Sequence, residues 1–223
     1  MAATGGDTKT DFKKSLDAYR PGRHHELRML TVPPTRYLMV DGHGDPNDSP
    51  EFGAAVEAIF PVAYKLKFAS KKLLGRDYVV MPLEGLWSAP DLASYTSARD
   101  KSQWDWTLLV MVPEWTTETM VQDARAAAAG SGSGSASGAS VAGSAPVVRL
   151  ETLDEGLCAQ TLHVGPFDEE ASILQEMHDR FIPSSGYTMR GRHHEIYLSD
   201  LRRTAPAKLR TLLRQPIALL PRG

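Results

Sequence analysis

The sequence predicts an α+β protein made of two related strand-helix-strand-strand units. Three observations carry this. Both halves of the chain run strand, helix, strands in the same order. A cluster of turn formers precedes the helix of each half, Gly42-His43-Gly44-Asp45-Pro46-Asn47 in one and Gly165-Pro166 in the other. Between the halves, residues 130–146 are almost wholly Gly, Ser and Ala. Such a stretch buries too little to order itself and reads as a flexible linker with ends ~20–25 Å apart. The division is therefore a tail and short helix at 1–28, a first module at 29–129, the linker at 130–146 and a second module at 147–223. The two modules together make one compact domain.

In chain order, residues 1–10 are expected to be disordered. Phe12, Leu16 and Tyr19 mark a short amphipathic segment over 11–19. A strand covers 36–41. Ser49 before Pro50 is an N-cap followed by proline at the first helical position, so a helix starts there and runs toward Ser70. Pro61 lies inside it and is expected to kink or divide it. Strands follow at 78–87, where Pro82 suggests an edge or bulge, and at 104–112, joined by a polar connection over 88–103. Thr116 or Thr117 caps a helix reaching Ala129. In the second half, strands at 147–153 and 157–164 read as a hairpin turning at Asp154-Glu155-Gly156. A helix starts near Asp168, with Asp168, Glu169 and Glu170 at its positive end and Ile173, Leu174, Met177 and Phe181 as its apolar stripe. A last strand covers 194–199.

The 223 residues are 42% hydrophobic, enough to fill a core, and carry a net charge of −2. That balance argues against a nucleic-acid surface, which needs a basic face. The basic runs at 20–28, 190–192 and 202–214 are broken by acids and apolar residues and read as solvated faces. The single cysteine, Cys158, excludes an intrachain disulfide. It falls in a core strand, where a small buried thiol is the default. The first residues lack a signal-peptide core and no run reaches the ~18 apolar residues of a membrane span. A cytoplasmic protein with no membrane partner is the expectation, and a monomer the expected state.

The richest stretch chemically is His193-His194-Glu195-Ile196-Tyr197-Leu198-Ser199-Asp200. Strand alternation sends His193, Glu195, Tyr197 and Ser199 to one face and His194, Ile196 and Leu198 to the other. Glu195 and Glu170 are candidate partners, because the helix and the strand that follow one another must be neighbours. Two carboxylates in a dry cleft can serve as acid and base when their surroundings push their pKa values apart. The alternative is that Glu170 is a helix N-terminal charge and Glu195 a solvated strand residue. All four tryptophans fall between Trp87 and Trp115, and Trp104 and Trp106 share a strand face. They are pocket walls for a flat aromatic ligand or ordinary core residues. His24-His25, His163, His178 and His193-His194 offer imidazoles, but neighbours on a strand diverge and no His-x-x-x-His or cysteine-pair spacing exists. No metal, dinucleotide or other cofactor site is expected.

Several segments resemble the GyrI-like small-molecule-binding family, most closely its stand-alone, full-length branch. They are Asp11-Phe12-Lys13-Lys14, Asp41-Gly42 with Gly44-Asp45-Pro46-Asn47, Ala63-Tyr64 with Leu66-Lys67-Phe68, and Met81-Pro82-Leu83-Glu84-Gly85-Leu86-Trp87. Trp104-Asp105-Trp106-Thr107, Gly165-Pro166-Phe167-Asp168-Glu169-Glu170 and His193–Asp200 complete the set, in order. The resemblance implies a pseudo-twofold pair of modules in one antiparallel sheet, with helices on one face and a ligand cleft on the other. It implies a ligand-facing glutamate at Glu195 and a second acid at Glu170, with Glu169 the competitor because Ala171 replaces a proline common after that acid. The branch is thought to hydrolyse cyclopropanoid DNA-alkylating antibiotics of the yatakemycin and CC-1065 type. The expected partner is therefore a planar polycyclic small molecule, held by Trp87, Trp104, Trp106, Tyr197, Tyr64 and Phe167. A non-catalytic protein that sequesters or senses such a drug is the alternative, and a topoisomerase-directed inhibitor a third.

Overall fold

The computed structural model describes residues 9–88, 101–130, 146–200 and 202–221. The disorder expected at 1–8, most of the polar connection (89–100) and the linker at 131–145 lie outside the described residues. The elements are α1 (Phe12–Ser15), β1 (Arg28–Val32), β2 (Thr35–His43), α2 (Pro50–Leu74), β3 (Glu84–Ser88) and β4 (Asp105–Met111). Then come α3 (Glu118–Gly130), β5 (Arg149–Leu153), β6 (Gly156–Val164), α4 (Ala171–Gln175), β7 (Tyr187–Met189), β8 (His193–Tyr197) and β9 (Arg210–Leu219). α4 continues through a π-helical turn at Glu176–Phe181 into Ile182–Ser184.

All pairings are antiparallel in one nine-stranded sheet of order β1-β6-β9-β8-β3-β4-β2-β5, with β7 beside the end of β9. The order is its own mirror about the β8-β3 seam. β6, α4, β8 and β9 answer to β2, α2, β3 and β4, so the α+β class and the paired modules are as the sequence predicts. β1 and β2 lie six strand positions apart. A flat sheet would separate them by ~29 Å at ~4.8 Å per strand, yet Pro33 and Pro34 span at most ~11 Å. The sheet therefore curls, giving a concave inner face and an outer face. Both faces are covered, which is why β2 and β4 are almost continuously buried instead of alternating.

Both long helices pack on the outer face. α2 sends Ala55, Ile59, Val62, Ala63 and Leu66 inward at helical spacing. Pro61 does not divide it: the helix runs unbroken to Leu74, because Pro61 stands on the exposed side where the carbonyl it frees is solvated. Gly75, at φ 65°, closes it. Thr117 is the cap of α3, its hydroxyl accepting from Met120 N–H at 3.3 Å. Ile173, Met177 and Ile182 of the second helix pack on Ala159, Leu213 and Ile217.

Three expectations fail for identifiable reasons. β5 and β6 are not a hairpin, because β5 pairs with β2 whereas β6 pairs with β1 and β9. Glu155 in the turn is buried at 2% exposure by its ion pairs, and that redirects the chain. The run ending at Arg214 is no solvated face; it enters β9, and Arg214 is fully buried. The strand expected at 78–87 is ordered only from Glu84, since Pro82 lies before it, and Tyr78 forms an isolated bridge with Thr10.

Candidate functional site

A cavity of about 280 Å³ opens between the two helices on the outer sheet face. This differs from the implied placement of the cleft opposite the helices. Its floor is β3 and β8: Trp87, His193, Glu195 and Tyr197. Register explains the grouping, since Gly85 faces Glu195 and Trp87 faces His193, and cross-strand partners share a face. The pseudo-equivalent turns close the ends, one with Pro46 and Asn47, the other with Phe167, Asp168 and Glu170. Phe52 from α2 and Leu174 from α4 form the sides.

Gly85 shapes the floor by having no side chain. A Cβ there would come within 2.8 Å of the Trp87 indole nitrogen, so the ring lies across Gly85 toward Glu195. Trp104 meets Trp87 edge-on at 5.5 Å and Phe52 stacks on Trp87 at 6.3 Å. Phe167 meets Tyr197 edge-on at 5.7 Å. The result is an aromatic box with one carboxylate set into its floor.

The Tyr197 hydroxyl donates to Glu195 Oε2 at 2.8 Å. Burial, then the negative charge and hydrogen bond of Glu195, then the charge of Glu170, raise the Tyr197 pKa well above the usual phenol range. It stays a donor at all physiological pH. Burial pushes the His193 imidazole down to about 3, helped by His178 and His194. It is therefore neutral where its Nε2 stands 3.8 Å from Glu195 Oε1. Glu170 is 4% exposed, at the N-cap of α4, and lines the same cavity.

The structure brings together Glu195, Glu170, Trp87, Trp104, Tyr197 and Phe167. It does not bring Trp106 or Tyr64 to the cavity. Trp106 is 1% exposed and fills the space over Gly42, whose Cβ would lie 2.0 Å from the ring. From there it backs Phe52 at 5.1 Å. Tyr64 is 51% exposed on the outer side of α2. Glu169 is not among the lining residues, whereas Glu170 is. The sequence reading missed Phe52, Pro46 and Asn47. Module equivalence was the available signal: once Glu170 and the Gly165-Pro166 turn are placed at the site, the start of α2 and its turn belong there too.

Behind the floor, on the inner face, lies a buried ionic network. His194 Nε2 is 2.9 Å from Glu84 Oε2, and its Nδ1 is 2.9 Å from Glu155 Oε1. Arg214 donates to Glu155 Oε2 at 2.7 Å, to Gln160 Oε1 at 2.8 Å and to the Ala18 carbonyl at 2.8 Å. Tyr19 donates to Glu84 Oε1 at 2.7 Å. Burial opposes charge on His194, but Glu155 and Glu84 outweigh it and raise the pKa. Two carboxylates and two cations thus balance in the sheet interior. Cys158, also on this face, is fully buried and its thiol is pushed up to about 12, chiefly by burial. It is no nucleophile.

Paired α+β modules around an aromatic-lined cavity with a carboxylate in its floor are the features of a small-molecule-binding domain. The comparisons agree. A model of the GyrI-like small molecule binding domain matches residues 132–218. A conserved protein from Listeria innocua has a crystal structure similar to this one at TM-score 0.80 and 36% identity, covering 94% of this chain and 100% of its own. A hydrolase from Listeria innocua is similar at TM-score 0.78 and 35% identity, covering 95% and 100%. The EcmrR C-terminal domain, at TM-score 0.51 and 10% identity over 87% of this chain, shares the fold alone. No curated protein matches the sequence. The chain belongs to the GyrI-like family. Among the described residues no helix is long and apolar enough to cross a membrane.

Proposed function

We propose that this protein is a hydrolase that opens the strained cyclopropane of cyclopropanoid DNA-alkylating antibiotics. The observation that carries the reading is the Glu195 carboxylate held by Tyr197 at 2.8 Å within the aromatic box. The relationship to the Listeria innocua hydrolase supports it. The cavity, at about 280 Å³, is just below the usual size of ligand pockets (~300–1,000 Å³). It suits one fused-ring unit, with the rest of an extended drug outside.

In this mechanism Trp87, Trp104, Phe52 and Phe167 clasp the flat unit. Glu195, oriented through Oε2 by Tyr197, takes a proton from a water bound at Oε1. The water oxygen bonds to the cyclopropane methylene as the ring carbon–carbon bond breaks. That electron pair moves to the conjugated carbonyl, whose oxygen is protonated as the ring becomes a phenol. In this reading Glu170 supplies that proton and is reprotonated through solvent as Glu195 gives up the one it took. The net change is addition of one water, which destroys the alkylating centre.

Turnover is tested by incubating wild type and Glu195→Gln with excess cyclopropanoid alkylator and counting hydrated product by mass spectrometry. Wild type is expected to exceed one equivalent. Glu195→Gln is expected to bind the drug but lose about 10²–10⁴-fold in rate. Equal rates would remove Glu195 from the chemistry. The second reading, sequestration, has the family's small-molecule-binding character behind it. It predicts a one-to-one complex that releases unchanged drug in the same incubation.

A further inference from the structure

We propose that His24, His25 and His163 form a binding site for a divalent transition cation of the zinc class, tying the N-terminal segment to the turn that carries Phe167. Their ligand atoms lie within 4.8 Å of one another. Neighbouring histidines on a strand point to opposite faces, as His193 and His194 do. His24 and His25 do not, because His25 takes the left-handed conformation, φ 59°, alone among the described non-glycine residues. That bend lays the two rings against each other at 3.7 Å. The segment is fixed to β6 by His25 N–H donating to the Leu162 carbonyl at 2.8 Å and by the His24–Leu162 bridge. An unfavourable backbone conformation held in place by its surroundings is a common mark of a functional position.

The nitrogens of His25 and His163 are arranged as ligands require. His163 Nε2 lies 3.1 Å from the Pro166 carbonyl, so it carries the proton and leaves Nδ1 as a lone pair. A backbone acceptor on the far nitrogen is the usual support of a metal-bound imidazole. His163 Nδ1 is 3.3 Å from His25 Nε2. Two nitrogens on a tetrahedral zinc at 2.0–2.1 Å stand about 3.3–3.4 Å apart, so this pair already has the spacing of one ligand edge. A cation replaces the proton that the two nitrogens share, and the His25 proton moves to Nδ1. His24, exposed, completes the set by releasing the bond in which its Nδ1 accepts from Val164 N–H at 3.1 Å. Imidazole ligands select zinc, copper or nickel over calcium and magnesium, and the exposed side leaves a fourth position to water.

The site reaches the cavity through a single link. His163 holds the Pro166 carbonyl, and the next residue, Phe167, is a cavity wall.

The metal-stripped full chain is titrated with zinc chloride by calorimetry, and bound Co²⁺ is followed by visible absorption. One equivalent is expected, with a rise in melting temperature. His24→Ala should lower affinity at least about tenfold, as should His25→Asn, which tolerates the left-handed backbone. Circular dichroism checks that both variants fold. His43→Ala, at the exposed Asp105 pair, should bind like wild type. No saturable binding by wild type overturns the proposal, as does binding that survives unchanged in the His24→Ala, His25→Asn double variant.

Discussion

Replacing Arg214 by methionine keeps the bulk of the side chain and removes one of the two cations in the sheet interior. Arg214 is fully buried and makes three hydrogen bonds of 2.7–2.8 Å, one of them to Glu155. Its loss leaves Glu84 and Glu155 facing only His194. Breaking one partner of a buried pair costs ~3–5 kcal/mol. At ~2–4 °C per kcal/mol for a chain of this size, Tm should fall by ~6–20 °C. Acid adds an independent readout. Burial opposes ionisation of Glu155, but His194 and Arg214 overcome it and hold its pKa at about 2, below the ordinary 4.5. A depressed carboxylate stabilises the fold fully above the unfolded value and loses that contribution as pH falls from about 4.5 toward 2. The shift corresponds to ~3 kcal/mol. Without Arg214 the depression shrinks, so stability should depend less steeply on pH in that window. Thermal and urea melts by circular dichroism from pH 7 down to pH 3 measure both effects. A variant that melts within about 2 °C of wild type and keeps the wild-type acid slope would refute the assignment of Arg214 as the counter-ion that matters.

Other substitutions probe the site and its backing. Gly42→Ala places a methyl 2.0 Å from the Trp106 ring, and such overpacking costs ~1–3 kcal/mol, seen as a lower Tm with a perturbed tryptophan emission. Tyr197→Phe removes the 2.8 Å donor to Glu195; a hydrogen bond to a charged acceptor is worth ~1.5–3 kcal/mol, so Tm should fall by ~3–12 °C, and kcat/KM on a cyclopropanoid substrate should drop at least about tenfold as Glu195 loses its orientation. Tyr64→Ala, at 51% exposure and away from the cavity, should change stability by no more than about 0.5 kcal/mol and leave drug affinity by fluorescence titration unaltered.

The sequence made the modules legible because local rules govern them. Turn formers, the Ser49-Pro50 start of α2 and the apolar stripe of α4 each act over a few residues. Strand parity sorted the two faces of β8 correctly, with Glu195 and Tyr197 toward the cavity and His194 toward the core. What stayed hidden depends on the curl of the sheet. Arg214 reads as a solvated basic residue until Glu155, Gln160 and Ala18 surround it from distant segments. The stretch Arg210–Leu219 carries a proline and two arginines and lacks clean alternation, so β9 escapes a reading by period. Trp104 and Trp106 share a face as read, yet only Trp104 reaches the cavity, because Phe52 of α2 stands over Trp106. That separation is set by a helix the strand pattern cannot see.

The two-proline link between β1 and β2 also dictates an order of events. β1 is made early, but its partner β6 belongs to the second module, and Arg214 must reach the Ala18 carbonyl across 196 residues. Contacts so distant along the chain carry the largest loop-closure cost and form slowly. On the ribosome, α2 and β2–β4 can associate as soon as they emerge, while the inner face stays open and its carboxylates stay wet. Only when β9 leaves the exit tunnel do Glu84 and Glu155 acquire their full complement of cations. β9, which follows the other described strands along the chain, is therefore the one that seals the curled sheet, and a nascent chain stalled before Arg210 would present an unclosed edge to its neighbours on the polysome.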